Sequence, residues 1–345
     1  MSIPNRKVVI SAAGGPEVVS VQDSELPAPK KGEVRVKLLY SVFGGSDINM
    51  RNGTYPMQEK APLTTGYVSV GVVDLNGKDS HKLQPGDLVC CLSVYGGQQY
   101  YTNLPEPFIV PVPKGIRLDQ AAAMVLDWTT AYGMAFRTAK LQKGHKVFVH
   151  GLSGSVGNAL LQLCKIQGAE VYGTASESQF DALRAQGAHP FVYTNKDWIQ
   201  AMKDMGGAHA VFDPLGFESF DESWSILSRD NGHLIGYGSN GASLNGKPRS
   251  QAAAYADIAK LMARKLVPFC PFNASFFYVD RTQSTFVPEL LKCFDLQVKG
   301  EVDVKIKKTI SLEEVPQMHK DWTKTKGVGT VVVKLPYADE YLGGR

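Results

Sequence analysis

The amino-acid sequence predicts an α/β protein in which a β-rich domain accompanies a doubly wound parallel sheet. Its 345 residues correspond to about two domains of ordinary size. Residues 1–125 alternate short β-rich runs with Gly/Pro turns and contain little helical pattern. From about residue 120 onward, strand patterns alternate with helical patterns, which is typical of a parallel sheet covered by helices.

The elements follow from these patterns in chain order. The N-terminal strands are predicted at residues 8–10, 18–21, 33–40, 69–74 and 88–92, between turns such as the one at 84–87. After a helix-permissive stretch at 119–140, strands are predicted at 146–150, 170–175, 190–193, 209–213, 233–238 and 274–279. Helices are predicted between them at 155–167, 177–186, 195–204, 217–227 and 250–265. The last part predicts a helix at 285–297, strands at 302–306 and 330–335, and an exposed tail.

A glycine-rich turn follows the first strand of the parallel sheet. Residues 147–149 predict a buried strand that runs into Gly151, Gly154 and Gly157, spaced G-x-x-G-x-x-G, and then into an amphipathic helix. This arrangement favours dinucleotide binding, because backbone must approach a pyrophosphate closely and a helix N-terminus offers N–H groups to it. An ordinary βαβ crossover with a glycine-rich turn is the alternative.

Composition excludes several classes of function. The net charge of +4 is too small to indicate a nucleic-acid or membrane partner, and there is no run of ~18 apolar residues that would predict a membrane span. The N-terminus has no secretory or transit pattern. The five cysteines are scattered and lack C-x-x-C spacing, which is typical of reduced thiols. We therefore expect a cytoplasmic protein.

Several motifs occur together in the order and spacing of a known family. They are Asp47-x-x-x-Arg51-x-Gly53-x-Tyr55-Pro56, Gly66-x-x-x-x-Gly71-x-Val73, Gly86-Asp87-x-Val89, Thr130-Ala131-Tyr132, Gly236-Tyr237-Gly238 and Gly329-Thr330-Val331-Val332-Val333. With the glycine turn, they make the whole chain resemble zinc-free medium-chain dehydrogenases/reductases of the quinone oxidoreductase or enoyl reductase type. The resemblance implies a discontinuous GroES-like catalytic domain (1–125 and 276–345) and a Rossmann dinucleotide-binding domain (126–275). It also implies an active site in the cleft between them and allows a homodimer.

The metal signatures of the zinc-dependent relatives are absent. Those relatives carry a Cys and a Gly-His-Glu motif, whereas the corresponding segments here are residues 42–47 and Gly66-Tyr67-Val68. Cys90 and Cys91 lack a His at ligand spacing, and zinc needs three or four such ligands. We expect no metal site.

The cofactor is predicted to be NADPH. NAD sites place an acidic residue at the end of the second strand, where this chain has Ala175 followed by the hydroxyl donor Ser176. Gln179 stands where relatives often have Lys, and Tyr193 lies one residue away from their usual Tyr. With these residues, the resemblance implies a set of cofactor-binding positions. The set is Thr130, Gly151, Ser153, Gly154, Ser155, Val156, Gly157, Ser176, Gln179, Tyr193, Gly236, Tyr237, Gly238, Phe277, Tyr278 and Thr330.

The predicted reaction is hydride transfer to the C=C of an α,β-unsaturated carbonyl (enone or enoyl) or to a quinone, because no zinc is expected to polarise an alcohol oxygen. The resemblance makes Tyr55 the candidate hydrogen-bond donor to the substrate carbonyl; packing against Pro56 is the alternative. Asp47 and Arg51 are four residues apart, and a structural ion pair on a helix is favoured over catalysis. His150 is expected to be a supporting or core residue.

A second class of function stays open. Some relatives serve structural or vesicle-associated roles, and Asp213-Pro214-Leu215-Gly216 resembles one such branch. The alternative is therefore an NADPH-binding protein with little turnover.

Overall fold

The structure is a computed structural model and describes residues 1–343. Its contacts divide the chain into two compact units. The N-terminal unit comprises Met1–Leu126, Asp280–Lys326 and the described residues from Thr330 onward. The parallel-sheet unit comprises Asp127–Val279 and Gly327–Gly329. Residues 276–279, which the sequence assigned to the first domain, therefore fall in the second unit.

The described strands and helices follow in chain order. The strands are β1 (Ile3–Ile10), β2 (Val19–Leu26), β3 (Glu33–Phe43), β4 (Val68–Asn76), β5 (Leu88–Leu92), β6 (Tyr101–Pro105), β7 (Val110–Pro111), β8 (Lys146–Val149), β9 (Glu170–Ala175), β10 (Ala188–Val192), β11 (Ala210–Asp213), β12 (His233–Gly236), β13 (Asn273–Phe276), β14 (Ile306–Ser311) and β15 (Thr330–Lys334). The α-helices are α1 (Gly45–Arg51), α2 (Leu118–Ala123), α3 (Thr129–Tyr132), α4 (Ser155–Ile166), α5 (Phe180–Arg184), α6 (Asp197–Asp204), α7 (Glu218–Ser225), α8 (Asn240–Leu244), α9 (Gln251–Ala263), α10 (Phe286–Val298), α11 (Val315–Asp321) and α12 (Tyr337–Gly343).

The N-terminal unit is built from two sheets. β1 and β2 form an antiparallel pair, and a seven-stranded sheet runs β14-β15-β3-β4-β5-β7, with β6 also paired to β3. The pair β14–β15 is parallel, and the other pairs of this sheet are antiparallel. The long central strand β3 is buried along most of its length, so it organises the core of this unit.

The parallel-sheet unit has six strands in the order β10-β9-β8-β11-β12-β13. Numbered within the unit, this is the 3-2-1-4-5-6 order of the doubly wound dinucleotide-binding fold, and every pair is parallel. Its apolar core brings side chains of the strands against those of the helices, among them Phe148, Trp198, Phe220 and Leu234, each less than 2% exposed. The predicted fold class, a β-rich part with a doubly wound parallel sheet, is confirmed.

Most predicted elements of the parallel sheet lie within one or two residues of the observed ones, but one strand of the N-terminal unit was placed wrongly. The sequence predicted a strand at 302–306, whereas β14 begins at Ile306 and ends at Ser311. Val302 and Val304 are buried, which produced the alternating pattern. The carbonyl of Val304 accepts a hydrogen bond from the Gln120 side chain (3.1 Å). Within the predicted tail, residues 337–343 form α12.

Candidate functional site

The strand order of the parallel sheet reverses between β8 and β11, and this is the place where doubly wound sheets bind ligands. The glycine turn follows β8 at this reversal. The other predicted cofactor segments of this unit also follow strand ends: Ser176 follows β9, Tyr193 follows β10, Tyr237 follows β12, and Phe277 follows β13. Because all six strands are parallel, these segments share one edge of the sheet.

Each glycine of the turn is required for a different physical reason. Gly151 adopts φ +71°, a backbone conformation that side chains with a Cβ rarely adopt. A Cβ on Gly157 would lie 2.1 Å from the Gly151 carbonyl oxygen, so only glycine lets α4 pack against the turn. A Cβ on Gly154 would meet a single atom, the same oxygen at 3.1 Å, and otherwise nothing within 4 Å. A Cβ on Gly151 would meet nothing within 4 Å, so the turn is open at Gly151 and Gly154 and closely packed only at Gly157.

Helix α4 begins directly at this turn, with Gly154 as its N-cap in an extended conformation and no side chain capping it. Its first N–H groups therefore have no intrahelical acceptor. Ser155 donates its hydroxyl to an Asp127 carboxylate oxygen (3.0 Å), and the carbonyl of Ser153 accepts from the Gly329 N–H (3.1 Å). The N–H groups of Gly151, Leu152 and Gly154 are hydrogen-bonded within the protein. The amides that can receive an anion are therefore those at the start of α4.

A second observation concerns Thr130 in α3. The residue is 7% exposed, and its hydroxyl oxygen is buried without a hydrogen-bond partner. Buried polar atoms are normally paired, so an orphan hydroxyl at a predicted cofactor position fits a site that a polar ligand completes. The residues present therefore fit a dinucleotide.

The end of β9 lacks the acidic residue that NAD sites carry. Ala175 ends the strand and is 4% exposed, while Ser176 after it is exposed. Ala175 pairs with Val192 in the sheet register, so Ser176 and Tyr193 begin the loops after neighbouring strands. Tyr193 is 59% exposed. Sequence reasoning missed Glu177, an exposed carboxylate next in the chain, which would oppose a phosphate here.

Gln179 lies in the short 3₁₀ turn after β9, where its N–H donates to the Ser176 carbonyl (2.9 Å). Its side chain donates to the hydroxyl of Ser178 (3.2 Å). Gln179 is therefore held within the same loop as Ser176, at the position where a cation would strengthen phosphate binding.

The segments after β12 and β13 are tied to each other and to β11. The Tyr237 N–H donates to the Asp213 carbonyl (3.0 Å), and the Phe277 N–H donates to the Gly236 carbonyl (2.7 Å). Burial raises the pKa of Tyr237, and the nearby carboxyls of Asp213 and Asp127 add to this. Phe277 is 7% exposed and Tyr278 is 39% exposed, so only the latter presents substantial ring surface.

In the N-terminal unit, the candidate donor Tyr55 is paired with a second phenol. Its hydroxyl lies 2.6 Å from that of Tyr67, and the rings meet edge to face with centroids 6.1 Å apart. Tyr67 is 3% exposed, whereas Tyr55 is half-buried. Tyr67 is the middle residue of Gly66-Tyr67-Val68, which the sequence had considered only for the missing zinc ligand. The predicted cofactor residue Thr330 begins β15 of this unit and is buried.

Asp47 and Arg51 do lie on one helix, α1, but the predicted ion pair between them is wrong. The Asp47 carboxylate accepts hydrogen bonds from the Gly44 and Gly66 N–H groups and the Gln98 side chain at 2.8–3.2 Å. Burial nevertheless raises the pKa of Asp47 to about 7, against the lowering effect of these bonds. The Arg51 guanidinium donates instead to the carbonyl of His319 (3.0 Å). Asp47 therefore fixes backbone amides before and beyond α1, and Arg51 joins α1 to α11.

The two adjacent cysteines of β5 pack inside the N-terminal unit. Cys90 and Cys91 are each 1% exposed. Burial raises the pKa of both thiols, to about 11 for Cys91, which also lies 3.5 Å from the Arg281 guanidinium. Among residues 1–343, no group of three or more His, Cys, Asp or Glu side chains could hold a metal ion. The expected absence of zinc stays a prediction.

Within residues 1–343, no helix is both long enough and apolar enough to cross a bilayer.

Comparison with known proteins agrees with this architecture. The profile of the alcohol dehydrogenase GroES-like domain matches residues 30–114, and that of the zinc-binding dehydrogenases matches residues 155–265. The quinone oxidoreductase of Rattus norvegicus is 29% identical over 255 residues, covering 72% of this chain and 77% of that protein. The chain belongs to the medium-chain dehydrogenase/reductase superfamily of oxidoreductases, quinone oxidoreductase type, as its motifs predicted.

Two further comparisons bear on function and fold. The Homo sapiens synaptic vesicle membrane protein VAT-1 homolog is 28% identical over 344 residues, covering 95% of this chain and 86% of that protein. The crystal structure of Escherichia coli quinone oxidoreductase complexed with NADPH superposes with a TM-score of 0.80. At 19% identity, over 95% of this chain and 99% of that one, it supports the shared fold alone.

Proposed function

We propose that this protein is an NADPH-dependent reductase that transfers hydride, without zinc, to the C=C of an α,β-unsaturated carbonyl or to a quinone. One observation carries the proposal: the open Gly154 turn at the reversal of a 3-2-1-4-5-6 sheet, ahead of an uncapped helix α4. The quinone oxidoreductases among its relatives support the reaction class. We also propose a cytoplasmic location and a homodimer.

The chain's own residues divide into binding and reacting groups. The α4 N–H groups would bind the pyrophosphate, Thr130 would hydrogen-bond the dinucleotide, and Ser176 with Tyr193 would receive the 2′-phosphate. When bound, NADPH supplies the hydride. The Tyr55 hydroxyl would donate a hydrogen bond to the substrate carbonyl oxygen, whose negative charge grows as hydride adds to the conjugated carbon.

The pairing of phenols strengthens this role for Tyr55. A hydroxyl that accepts a hydrogen bond becomes a better donor, so Tyr67 can support donation by Tyr55 towards a substrate. The same position in zinc enzymes carries the His of the metal signature. Tyr67 is a poor substitute for that ligand, and its hydroxyl is engaged by Tyr55. The residues present therefore suit hydrogen-bond donation rather than zinc coordination.

The experiment follows oxidation of NADPH by a panel of enones, enoyl thioesters and quinones. We expect turnover with at least one class, and Tyr55→Phe should lower kcat by about 10- to 100-fold without weakening NADPH binding. Tyr132→Phe, a matched phenol-to-phenyl change in the parallel-sheet unit, serves as the control. Unchanged kcat in Tyr55→Phe would remove Tyr55 from the mechanism.

The second candidate function is an NADPH-binding protein with little turnover. Its support is the similarity to the VAT-1 homolog over 95% of the chain, since that relative carries a vesicle-membrane name rather than an enzymatic one. Tight NADPH binding by titration, together with no oxidation across the whole panel, would favour this alternative over the reductase.

A further inference from the structure

A buried chain of hydrogen bonds joins the glycine turn to a carboxylate on the neighbouring strand. The Gly151 N–H donates to the Thr174 hydroxyl oxygen (3.1 Å), which lies 3.4 Å from His150 Nδ1. His150 Nε2 lies 3.0 Å from the Ser223 hydroxyl oxygen, and that hydroxyl donates to Asp213 Oδ2 (2.7 Å). We call these five residues the His150 relay.

The four side chains of the relay are buried, whereas the Gly151 backbone at its end is exposed. His150 is 2% exposed, and Asp213 is fully buried. The imidazole meets the rings of Phe148 and Trp198 edge to face, with centroids 5.1 and 5.0 Å away. Burial lowers the pKa of His150 and outweighs the opposite effects of the Asp213 and Glu222 carboxylates. A neutral imidazole with one N–H therefore stands in the middle of the relay.

The hydrogen positions follow from counting donors. A serine hydroxyl has one proton, and Ser223 gives it to the Asp213 carboxylate, so His150 Nε2 must donate to Ser223. A neutral imidazole then has a bare Nδ1, which accepts the proton of the Thr174 hydroxyl. That hydroxyl oxygen is left to accept from Gly151. Every donor points towards the carboxylate, so each bond polarises the next.

The relay connects two turns. Asp213 ends β11, and its other carboxylate oxygen accepts from the N–H groups of Leu215 (2.8 Å) and Gly216 (3.3 Å) in the turn that follows. Gly151 opens the turn after β8, and β8 and β11 are paired neighbours at the reversal of strand order. The Asp213 carboxylate thus hydrogen-bonds directly to the turn after β11. It is connected to the glycine turn through the side chains of Ser223, His150 and Thr174.

We infer that the His150 relay is a positioning device, in which Nε2-protonated His150 locks the glycine turn in the conformation that receives the dinucleotide pyrophosphate. The inference rests on the proposed function for the identity of the ligand, but the state of the relay does not. His150, Thr174, Ser223 and Asp213 act through the turn and touch no reacting atom. They keep the Gly151 amide occupied internally, so the amides at the start of α4 are those left for the phosphates.

The first test reads the relay without any cofactor. Two-bond ¹H–¹⁵N spectra of the uniformly labelled full chain distinguish the tautomers of each histidine, and His150→Asn assigns the relevant signal. We expect the Nε2-protonated neutral form. Protonated Nδ1, alone or together with Nε2, would overturn the direction of the relay.

The chain offers a matched pair of serine variants. Ser219 and Ser223 both donate to Asp213 Oδ2 at 2.7 Å, but only Ser223 also contacts His150. Ser223→Ala should lose the single tautomer and speed hydrogen exchange at the Gly151 amide by about tenfold, because the relay is broken. Ser219→Ala should leave both readouts within about twofold. Equal effects of the two changes would reduce the relay to ordinary support of Asp213 and overturn the inference.

The second test measures NADPH dissociation constants. Ser223→Ala should raise the constant by about tenfold, with Ser223→Thr restoring it and Ser219→Ala changing it by less than about twofold. If Ser223→Ala does not fold, Thr174→Val and Thr174→Ser replace it as the hydroxyl-free and hydroxyl-keeping pair. A native protein that binds no dinucleotide would refute the proposed function, while the tautomer and exchange measurements would still decide the relay. Unchanged affinity in both hydroxyl-free variants would overturn the positioning role.

Discussion

At the scale of single residues, the three glycines of the turn show how similar sequence positions serve different needs. Gly151 supplies a positive φ, Gly157 allows close packing, and Gly154 leaves space on the outer side. A Cβ on Gly151 would meet nothing within 4 Å, so the open space extends over both Gly151 and Gly154. The G-x-x-G-x-x-G spacing predicted a dinucleotide site at this turn. The separate roles of the three glycines depend on distances between backbone atoms, which the spacing does not contain.

Gly154→Val should therefore weaken NADPH binding by about 100-fold, because the side chain would occupy the space that the pyrophosphate approaches and would displace its N–H contacts. Gly157→Ala is the contrasting variant, because it should affect stability. The new Cβ would lie 2.1 Å from the Gly151 carbonyl oxygen, and this clash should lower the free energy of unfolding. Calorimetric titration and chemical denaturation measure the two effects. Native affinity in folded Gly154→Val would mean that the site lies elsewhere.

The choice of cofactor depends on the end of β9. We expect NADPH to bind at least about tenfold more tightly than NADH, and Ala175→Asp to reverse the preference, because a carboxylate there accepts from ribose hydroxyls and repels a 2′-phosphate. Ala175 is 4% exposed, so this variant will also lose stability and must be tested at a temperature where it is folded.

Glu177→Gln provides the complementary change in the same loop. Removing its exposed charge should tighten NADPH binding while leaving NADH unaffected. The dissociation constants of NADPH and NADH, measured at fixed ionic strength, test the predictions for Ala175→Asp and Glu177→Gln. Equal affinity of the native protein for the two cofactors would refute the phosphate site but not the dinucleotide site.

At the scale of elements, the sequence predicted the parallel sheet far better than the N-terminal unit. The strand β9 has mostly buried residues between Gly168 and the exposed Ser176, so residues 170–175 were placed correctly. The failure at 302–306 has the opposite origin: Val302 and Val304 are buried by packing, without a partner strand. Tyr67 was overlooked as a donor because its value depends on Tyr55, twelve residues away, and no local pattern reports that contact.

Helix α11 carries a buried histidine that should make stability depend on pH. Both ring nitrogens of His319 are buried without partners, and burial, with help from the Arg51 charge, lowers its pKa to about 3. The unfolded chain, with an ordinary pKa of 6.5, binds the proton first, so this residue costs stability as the pH falls from 6.5 towards 3. As the pH falls through that window, the free energy of unfolding of His319→Leu should therefore rise relative to that of the native protein by up to ~1.4 kcal/mol per pH unit.

Chemical denaturation of the native protein and of His319→Leu at a series of pH values tests this prediction. The quantity to follow is the difference between their free energies of unfolding. The pKa of Asp47 is raised to about 7, so protonation of Asp47 stabilises the folded state as the pH falls below 7. This effect is present in both the native protein and His319→Leu, and it cancels in the difference between them. A difference that stays flat from pH 7 to pH 4 would show that His319 is not protonated on unfolding.

At the scale of the whole molecule, both units carry the signature of a family that includes zinc enzymes, yet neither keeps the zinc ligands. Tyr67 occupies the position of the histidine and is bonded to Tyr55, and the nearby thiols of Cys90 and Cys91 are buried with raised pKa values. A thiol must ionise to bind zinc, so burial works against such ligation.

We therefore expect the purified full chain, dialysed without chelator, to contain far less than one zinc per molecule. Elemental analysis measures this directly, with a zinc-dependent alcohol dehydrogenase as the positive control. Roughly stoichiometric zinc that survives dialysis would contradict the prediction and, with it, the proposal that a hydrogen-bond donor rather than zinc stabilises the acceptor oxygen during hydride transfer.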